Sequence, residues 1–470
     1  MTGASLTESP QSPDDSPSPD RGVTITPLRK TVLILALPIL SEQLLNSFVG
    51  LFDTYLAGDI SKAATAAIGL AAYMGWLASM LFMLVGTGTT ALIARMNGAG
   101  EHADANRIAN QSMTLAAITG PAVFVLIYLL APSFATWQNL PEETAAIVVT
   151  YLRIDAAGLT LTAWTLVGAA ALRGVADMRT PMLILGVVNV VNVIVSATLV
   201  FGLGPFEPMG IHGIVTGTVV ARTVGGLITI AVLARGRSGL RLRRHLLTPH
   251  WTSIRRIVRI GLPAASDGAI MWTGQFIFLM IIGRLAVGQL GEAYYAAHMI
   301  VVRLEAFTYL PAVAWGFATA TLVGQALGAG DHARARRVAH EAVLQCGLLI
   351  LFVSVVFLVG AEWILHQFQS DPQVAEVGAT PFRILALFQP LLVMSIIYVH
   401  ALRGAGDTRF PMVITLIGMV LVRLPLGYLF GIVLHGGLLG AWVGMMGDMT
   451  LRAALALIRY SRGRWVHTQV

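Results

Sequence analysis

Glu42 and Asp53 lie eleven residues apart in one apolar stretch, close to three helical turns, so both carboxyls face nearly the same side of one helix. Asp267 holds the place in the second half of the chain that Glu42 holds in the first, at the offset of 225 that also relates Pro38 to Pro263. A carboxyl inside hydrocarbon is costly unless it is protonated, paired or hydrated. The chemistry open to these residues is therefore to take up and release a proton or small cation, or to form buried ion pairs. Hydropathy puts Glu42 nearest the middle of its run and Asp53 nearer the outer end, where an ordinary interfacial residue is the plainer alternative. Pro38 frees a backbone carbonyl in the same helix and supplies a point at which it can bend.

Further along, Asn189, Asn192 and Ser196 interrupt another apolar run, and Asn192 and Ser196 share a face at i, i+4. Thr216 and Thr218 could complete an oxygen-rich pocket with them, or all could serve as hydrogen bonds between helices. In the second half, Gln275, His298, Glu305, Arg423 and Asp448 join Asp267 as candidates for ion pairs or cavity lining, with Arg303 and Glu305 as a structural pair. Trp76, Met80, Trp164, Met271 and Trp272 could line an adaptable cavity for bulky ligands, or simply face lipid and neighbouring helices. With Lys30 and Lys62 the only lysines, no Gly-rich loop ends in the Gly-Lys of a nucleotide-binding loop. His340–Glu341 lacks the second His of a zinc hydrolase, and no nucleophile elbow is present. The single cysteine, Cys346, gives neither a disulfide nor a thiolate metal site. The expectation is a protein that is not an enzyme, has no metal or organic cofactor, and draws any uphill work from an ion gradient.

The elements that must position these residues follow from composition. The chain is 56% hydrophobic and 12% charged, and apolar runs of about 20 residues, each enough to cross a bilayer as helix, succeed one another to its end. An all-α membrane protein is expected, with twelve transmembrane helices in two parallel, pseudo-symmetric six-helix lobes. The duplication is explicit: Leu172–Met182, LRGVADMRTPM, returns as Leu402–Met412, LRGAGDTRFPM, with seven of eleven positions identical. Gly98–Ala105, GAGEHADA, returns at the same offset of 230 as Gly328–Ala335, GAGDHARA, with six of eight identical. The predicted units are a disordered tail over 1–27 without signal-peptide features, a first lobe over 28–234, a basic linker over 235–254, a second lobe over 255–460 and a C-terminal tail over 461–470. Helices are expected at about 28–56, 63–96, 107–131, 142–171, 181–202 and 211–234, and at about 255–284, 293–326, 334–361, 374–401, 411–433 and 438–460.

Eight arginines and no acid fall between Arg235 and Arg259, and the opposite loops are acidic, with Lys62 and Arg284 as their main cations. By the positive-inside rule both termini are cytoplasmic and the protein is multi-pass in the plasma (cytoplasmic) membrane. The net charge of +7 is then a topological signal, with no nucleic-acid partner. In the repeated loops, Gly174, Gly404 and Gly406 permit tight turns and Asp177 and Asp407 can cap the helices that Pro181 and Pro411 begin. Pairs between Arg173 and Asp177, and between Arg403 and Asp407, could hold those turns or latch one half to the other. The matching pairs Gly213/Gly217 and Gly440/Gly444 are expected to let helices approach closely.

AlaLeuPro at 36–38, Gly50-Leu-Phe-Asp53-Thr54, the GAGEH and GAGDH loops and LRGxxDxRxPM in both halves resemble the multidrug and toxic compound extrusion (MATE) transporters, and among them the DinF-type branch, over residues 28–460. The resemblance implies two lobes in a V around a central cavity and antiport of H⁺ or Na⁺ against small organic, often cationic, compounds by alternating access, with a monomer in the membrane lipid as the default. It also implies an ion site in the first lobe on Asp53, Tyr151 and Asn192; Glu42 and Asp267, by their places in the apolar runs, are the possible secondary acids. The second acid expected one turn after that asparagine is Ser196 here, which favours protons over sodium. Acids of the NorM-type site are replaced by neutral residues around Met271 and Gln275. Neutralised Asp53 would favour a first helix bent near Pro38. Two rivals remain at this stage: a lipid-linked precursor flippase, for which Arg153, Arg303, Arg383 and Arg423 would supply cations, and a membrane scaffold or sensor that transports nothing.

Overall fold

A computed structural model describes residues 27–60, 62–138, 141–369 and 371–468; the expected N-terminal tail, apart from Pro27, lies outside them, as do the side chains of Asp59 and Lys62. Among the described residues the fold is all helical, with twelve helices long and apolar enough to cross a membrane. The first six are α1 (Leu28–Ile60), α2 (Lys62–Gly98), α3 (His102–Trp137), α4 (Glu142–Gly174), α5 (Arg179–Phe201) and α6 (Ile211–Arg235). The second half runs α7 (Trp251–Ile282), α8 (Gly288–Leu304), α9 (Ala306–Gly328), α10 (His332–Phe368), α11 (Pro372–Gly404), α12 (Arg409–Leu416), α13 (Leu424–Tyr428) and α14 (Gly437–Ser461).

Two spans depart from the single regular helices expected at 293–326 and 411–433. The eighth span is broken at Glu305, whose carbonyl takes both the amide (3.0 Å) and the hydroxyl (2.8 Å) of Thr308 in a tightened turn. The eleventh contains two π-helical stretches, Ile417–Arg423 and Leu429–Val433, on either side of α13. Phe48, Leu129, Phe352 and Val359 are examples of large apolar side chains left 66–77% exposed. Such a surface suits hydrocarbon and would aggregate in water.

The first turns of α1 (Val32, Ala36, Ile39) are packed into a core built from α9, α10, α11 and α14. Reciprocally, Ile257 and Ile260 of α7 enter the core of α2, α3 and α4. Each half therefore holds the leading helix of the other. At the pseudo-twofold axis the two copies of the GAG motif meet. A Cβ on Gly98 would lie 2.0 Å from the Gln325 carbonyl oxygen, and one on Gly328 would lie 1.9 Å from that of Arg95. Residues 95 and 325 are themselves related by the 230 offset, so this crossing explains why the motif is repeated. The other glycine pairs act as expected. Gly213 and Gly217 meet the backbone of α5 at Leu199 and Ser196, while Gly440 and Gly444 meet that of Phe430 and Arg423.

The link between halves is stitched to α3. Asn110 donates to the Arg241 carbonyl (2.9 Å) and accepts from the Arg243 amide (2.9 Å), and Gln111 donates to Leu246 (2.6 Å) and accepts from His250 (2.7 Å). The last residues are packed too: Trp465 is fully buried and stacks on Tyr460 at 4.6 Å, and Arg95 donates to the Thr468 carbonyl at 2.7 Å.

Gly328→Val should force α2 and α9 apart and destabilise the protein by about 1–3 kcal/mol, the usual range for overpacking. Thermal unfolding in detergent measures this. A midpoint equal to that of the parent would mean the crossing is not a tight constraint.

Candidate functional site

Four helices of the first half bring polar side chains together. From α1 comes Asp53, half-buried, with its Oδ1 shielded from solvent and without a hydrogen-bond donor. From α4 come Tyr151 and Asp155, one turn apart and 5% and 4% exposed. From α6 comes Arg222, whose Nη1 donates to Asp155 Oδ1 at 2.8 Å. Gly158, one turn beyond Asp155 minus a residue, leaves room for the Arg222 stem: a Cβ there would lie 3.1 Å from Arg222 Cδ. The charges that act on Asp53 are those of Arg222 and Asp155, and Tyr151 is within the field of all three. From α5 comes Asn192, whose Nδ2 donates to Thr218 Oγ1 at 3.1 Å while its Oδ1 is buried without a partner.

With Asp53 and Asp155 ionised and Arg222 positive, the group carries one net negative charge. Asp53 Oδ1 is a shielded acceptor without a donor in this group, and Asn192 Oδ1 is another on α5. Ser196 is fully buried in the α5–α6 crossing, where its Oγ lies 3.5 Å from the Ile214 carbonyl and Gly217 packs directly against it. The residue at this position carries a hydroxyl and no carboxylate. The structure brings Thr218 to Asn192 and leaves Thr216 without a polar contact to it; two residues along a helix turn about 200° around it.

The two secondary acids have cationic partners. Arg173 Nη2, at the end of α4, donates to Glu42 Oε1 at 2.5 Å, and at the matching place in the second half Arg403 pairs with Asp267. Arg173 and Arg403 are thus not bonded to Asp177 and Asp407, the turn-holding pairs that spacing suggested. The Arg173 guanidinium also lies over the Phe317 ring at 5.1 Å, and its carbonyl accepts from Thr321 Oγ1 at 3.0 Å, so this pair binds α4 to α9 of the other half. Asp407 pairs with Arg459 at 2.8 Å. Asp177 accepts from the Thr180 amide (3.0 Å) and hydroxyl (2.8 Å), from Ser238 Oγ (2.8 Å) and from Arg237 Nε (3.0 Å). Burial alone would push Asp177 up, but these four donors outweigh it and hold the acid below its ordinary 3.8. Pro38 lies inside α1, between the buried Ala36 and Ile39 and one turn before Glu42.

In the second half, Arg423 lies at 3.2 Å and Arg452 at 2.6 Å from Asp448, Arg423 Nη1 donates to Gln275, and Glu305 accepts from Gln389 at 3.0 Å. Arg303 is exposed and not paired with Glu305. Trp76 and Trp272 meet across the halves at 4.0 Å. Asp155 and Arg222 were not singled out in the sequence, although an acid and a base of equal number within two apolar runs of one half are a readable sign of a buried pair.

Two like halves of six spans each, with titratable groups buried between their helices, form the architecture of a duplicated membrane transporter. The family model described as MatE matches residues 38–198 and 263–429, once in each half, and the chain belongs to that family, the MATE transporters. A relative named probable multidrug resistance protein NorM, from Thermotoga maritima, is 32% identical over 439 residues, covering 93% of both chains. Multidrug resistance protein PmpM of Pseudomonas aeruginosa is 28% identical over 452 residues, 94% of this chain and 93% of its own. A solved structure described as an outward-facing multidrug resistance MATE family transporter shares the fold, with a TM-score of 0.84 at 20% identity over 93% of this chain and 97% of that one.

Arg222→Gln leaves Asp155 as an uncompensated buried charge, a loss of about 3–5 kcal/mol. Adding Asp155→Asn should restore most of it, and thermal unfolding of both variants tests the pair; an unaffected single variant would remove it. For Asp177, whose folded-state pKa is depressed, the stability it contributes is present above pH 3.8 and lost as pH falls through its lower folded value. Asp177→Asn should flatten that acid limb of the stability profile while leaving the neutral region with a constant offset.

Proposed function

We propose that this protein is a secondary active multidrug exporter that exchanges H⁺ for organic, often cationic, compounds by alternating access, working as DinF-type members do from its first half. The observation that carries the reading is the shielded, donorless Asp53 Oδ1 beside the Asp155–Arg222 pair. One proton on Asp53 neutralises the group; one monovalent organic cation does the same. The two loads therefore compete for one charge deficit, and competition of this kind is what couples opposed fluxes. Arg222 already supplies the only cation that Asp155 needs, and Ser196 stands where a second carboxylate would have to be. Both features favour a proton over sodium, which needs several oxygen ligands. The resistance-protein names of the relatives support a range of bulky substrates, and the Trp76–Trp272 contact between halves supplies an aromatic wall for them.

The Arg173–Glu42 pair and its counterpart Arg403–Asp267 are assigned to holding the arginine-rich end closed, and that end is read as cytoplasmic. Glu42 and Asp267, each held by a guanidinium, then act as gate partners and not as the coupling acid.

Efflux of a cationic dye from proteoliposomes tests the reading. The parent should export under a pH gradient and not under a sodium gradient alone. Asp53→Asn, with unchanged gel-filtration behaviour, should fall to the level of empty vesicles. Efflux by Asp53→Asn at the parent rate would exclude Asp53 as the coupling group.

A further inference from the structure

At the arginine-rich end, an open cavity of about 550 Å³ is lined by the outward side of the first turns of α1 (Arg29, Lys30, Leu33) and by α9 and α10 (Trp315, Gln345, Leu348, Leu349). Its size is within the range of about 300–1,000 Å³ usual for small-molecule sites. Leu33, Leu348 and Leu349 form its walls and are 40%, 62% and 39% exposed. Leu348 belongs to an outward apolar row on α10 with Leu344, Leu351 and Val355, so the slot opens on the face that meets acyl chains. The floor is polar only where it is satisfied. Trp315 Nε1 donates to Gln345 Oε1 at 3.2 Å, and Gln345 Nε2 donates to the Arg29 carbonyl at 2.9 Å. Nothing in it calls for water.

The mouth is different. Arg29 and Lys30, adjacent in the first turn of α1, both line it. Arg29 is held by Glu341 at 3.1 Å, yet its side chain remains 74% exposed. Lys30 is exposed and forms no ion pair among the described residues. Two cations at the polar edge of an apolar slot between transmembrane helices match a lipid with a negative head group. A zwitterionic head group would set its own ammonium against Lys30.

We propose that this cavity binds one anionic phospholipid of the leaflet at the arginine-rich end, with its phosphate between Arg29 and Lys30 and an acyl chain along Leu33, Leu348 and Leu349. The lipid braces the start of α1 against α10. This seat is independent of the proposed coupling chemistry.

The test is native mass spectrometry of the full-length, detergent-purified protein titrated with dioctanoyl phosphatidylglycerol or dioctanoyl phosphatidylcholine. One phosphatidylglycerol should bind about tenfold more tightly than phosphatidylcholine, the effect expected of one to two interfacial cations. Arg29→Gln/Lys30→Gln should reduce it to the phosphatidylcholine level, and Leu348→Trp, which fills the slot, should weaken both lipids. All of these positions are exposed, and gel filtration checks that each variant is intact. Equal affinity for the two lipids in the parent, or a preference that survives Arg29→Gln/Lys30→Gln, overturns the proposal. So does a preference that emerges only after removal of residues 1–26, whose acids Glu8, Asp14, Asp15 and Asp20 would then be the natural occupants.

Discussion

A charge buried among apolar helices must find an opposite charge, since bringing a carboxylate out of water costs several kcal/mol that only a close partner offsets. The helix arrangement satisfies that demand at Glu42 with Arg173, at Asp155 with Arg222, at Asp267 with Arg403 and at Asp448 with Arg423 and Arg452. Each pair joins two different helices, apart from Asp448–Arg452 within α14, so the pairs also lock the bundle. Asp53 stands outside this scheme. It forms no ion pair among the described residues and its Oδ1 is shielded without a donor, while Arg222, whose charge acts on it, is already committed to Asp155. Glu305 in the second half also lacks an ion pair among them but takes a hydrogen bond from Gln389, which leaves Asp53 as the acid of the first half whose state a proton or a cationic cargo can change.

Duplication divides the molecule into framework and specialisation. The Gly98–Gly328 crossing, the Glu42–Arg173 and Asp267–Arg403 pairs and the reciprocal insertion of α1 and α7 each have a counterpart in the other half; the crossing and the insertion bind the halves to each other, while each ion pair joins two helices of its own half. The charge cluster is not repeated. At the offset of 225 that matches Glu42 to Asp267, Asp53 corresponds to Phe278, a buried ring with the Arg423 guanidinium 5.5 Å from its centre. The second half has put an aromatic face where the first keeps a carboxylate. In exchange, its broken span at Glu305 and the π-helical turns leading into Arg423 surround a polar network of its own. Irregular turns of that kind free backbone and side chains from a regular ladder, and they are common at functional sites.

Much of this was legible in the residues. Length, hydropathy and the 230-residue repeat sufficed for twelve spans in two halves, because a bilayer imposes one span length and one way of satisfying the backbone. The correspondence of Glu42 with Asp267 was visible, but their partners were not: Arg173 lies 131 residues from Glu42, and helical periodicity carries no information over that distance. Spacing offers Asp177 to Arg173 as one partner, whereas Asp177 is satisfied by Thr180, Ser238 and Arg237. Asp155 and Arg222 each interrupt an apolar run, a sign of a buried partner, but α4 also carries Arg153 and Arg173, and the sequence does not tell which partner belongs to which. Only the fold makes them a pair. The choice of Thr218 over Thr216 turned on helix rotation, which apolar runs on every side of a membrane helix do not reveal.

The most direct measurement is the number of protons released when a monovalent cationic dye binds the purified protein in detergent, obtained by calorimetry in buffers of different ionisation enthalpy. With one charge deficit shared by proton and cargo, binding at a pH where Asp53 is protonated should release about one proton. It should release none in Asp53→Asn, and sodium should not change the count. Dye binding with no proton released, or the same release from Asp53→Asn, would contradict the account.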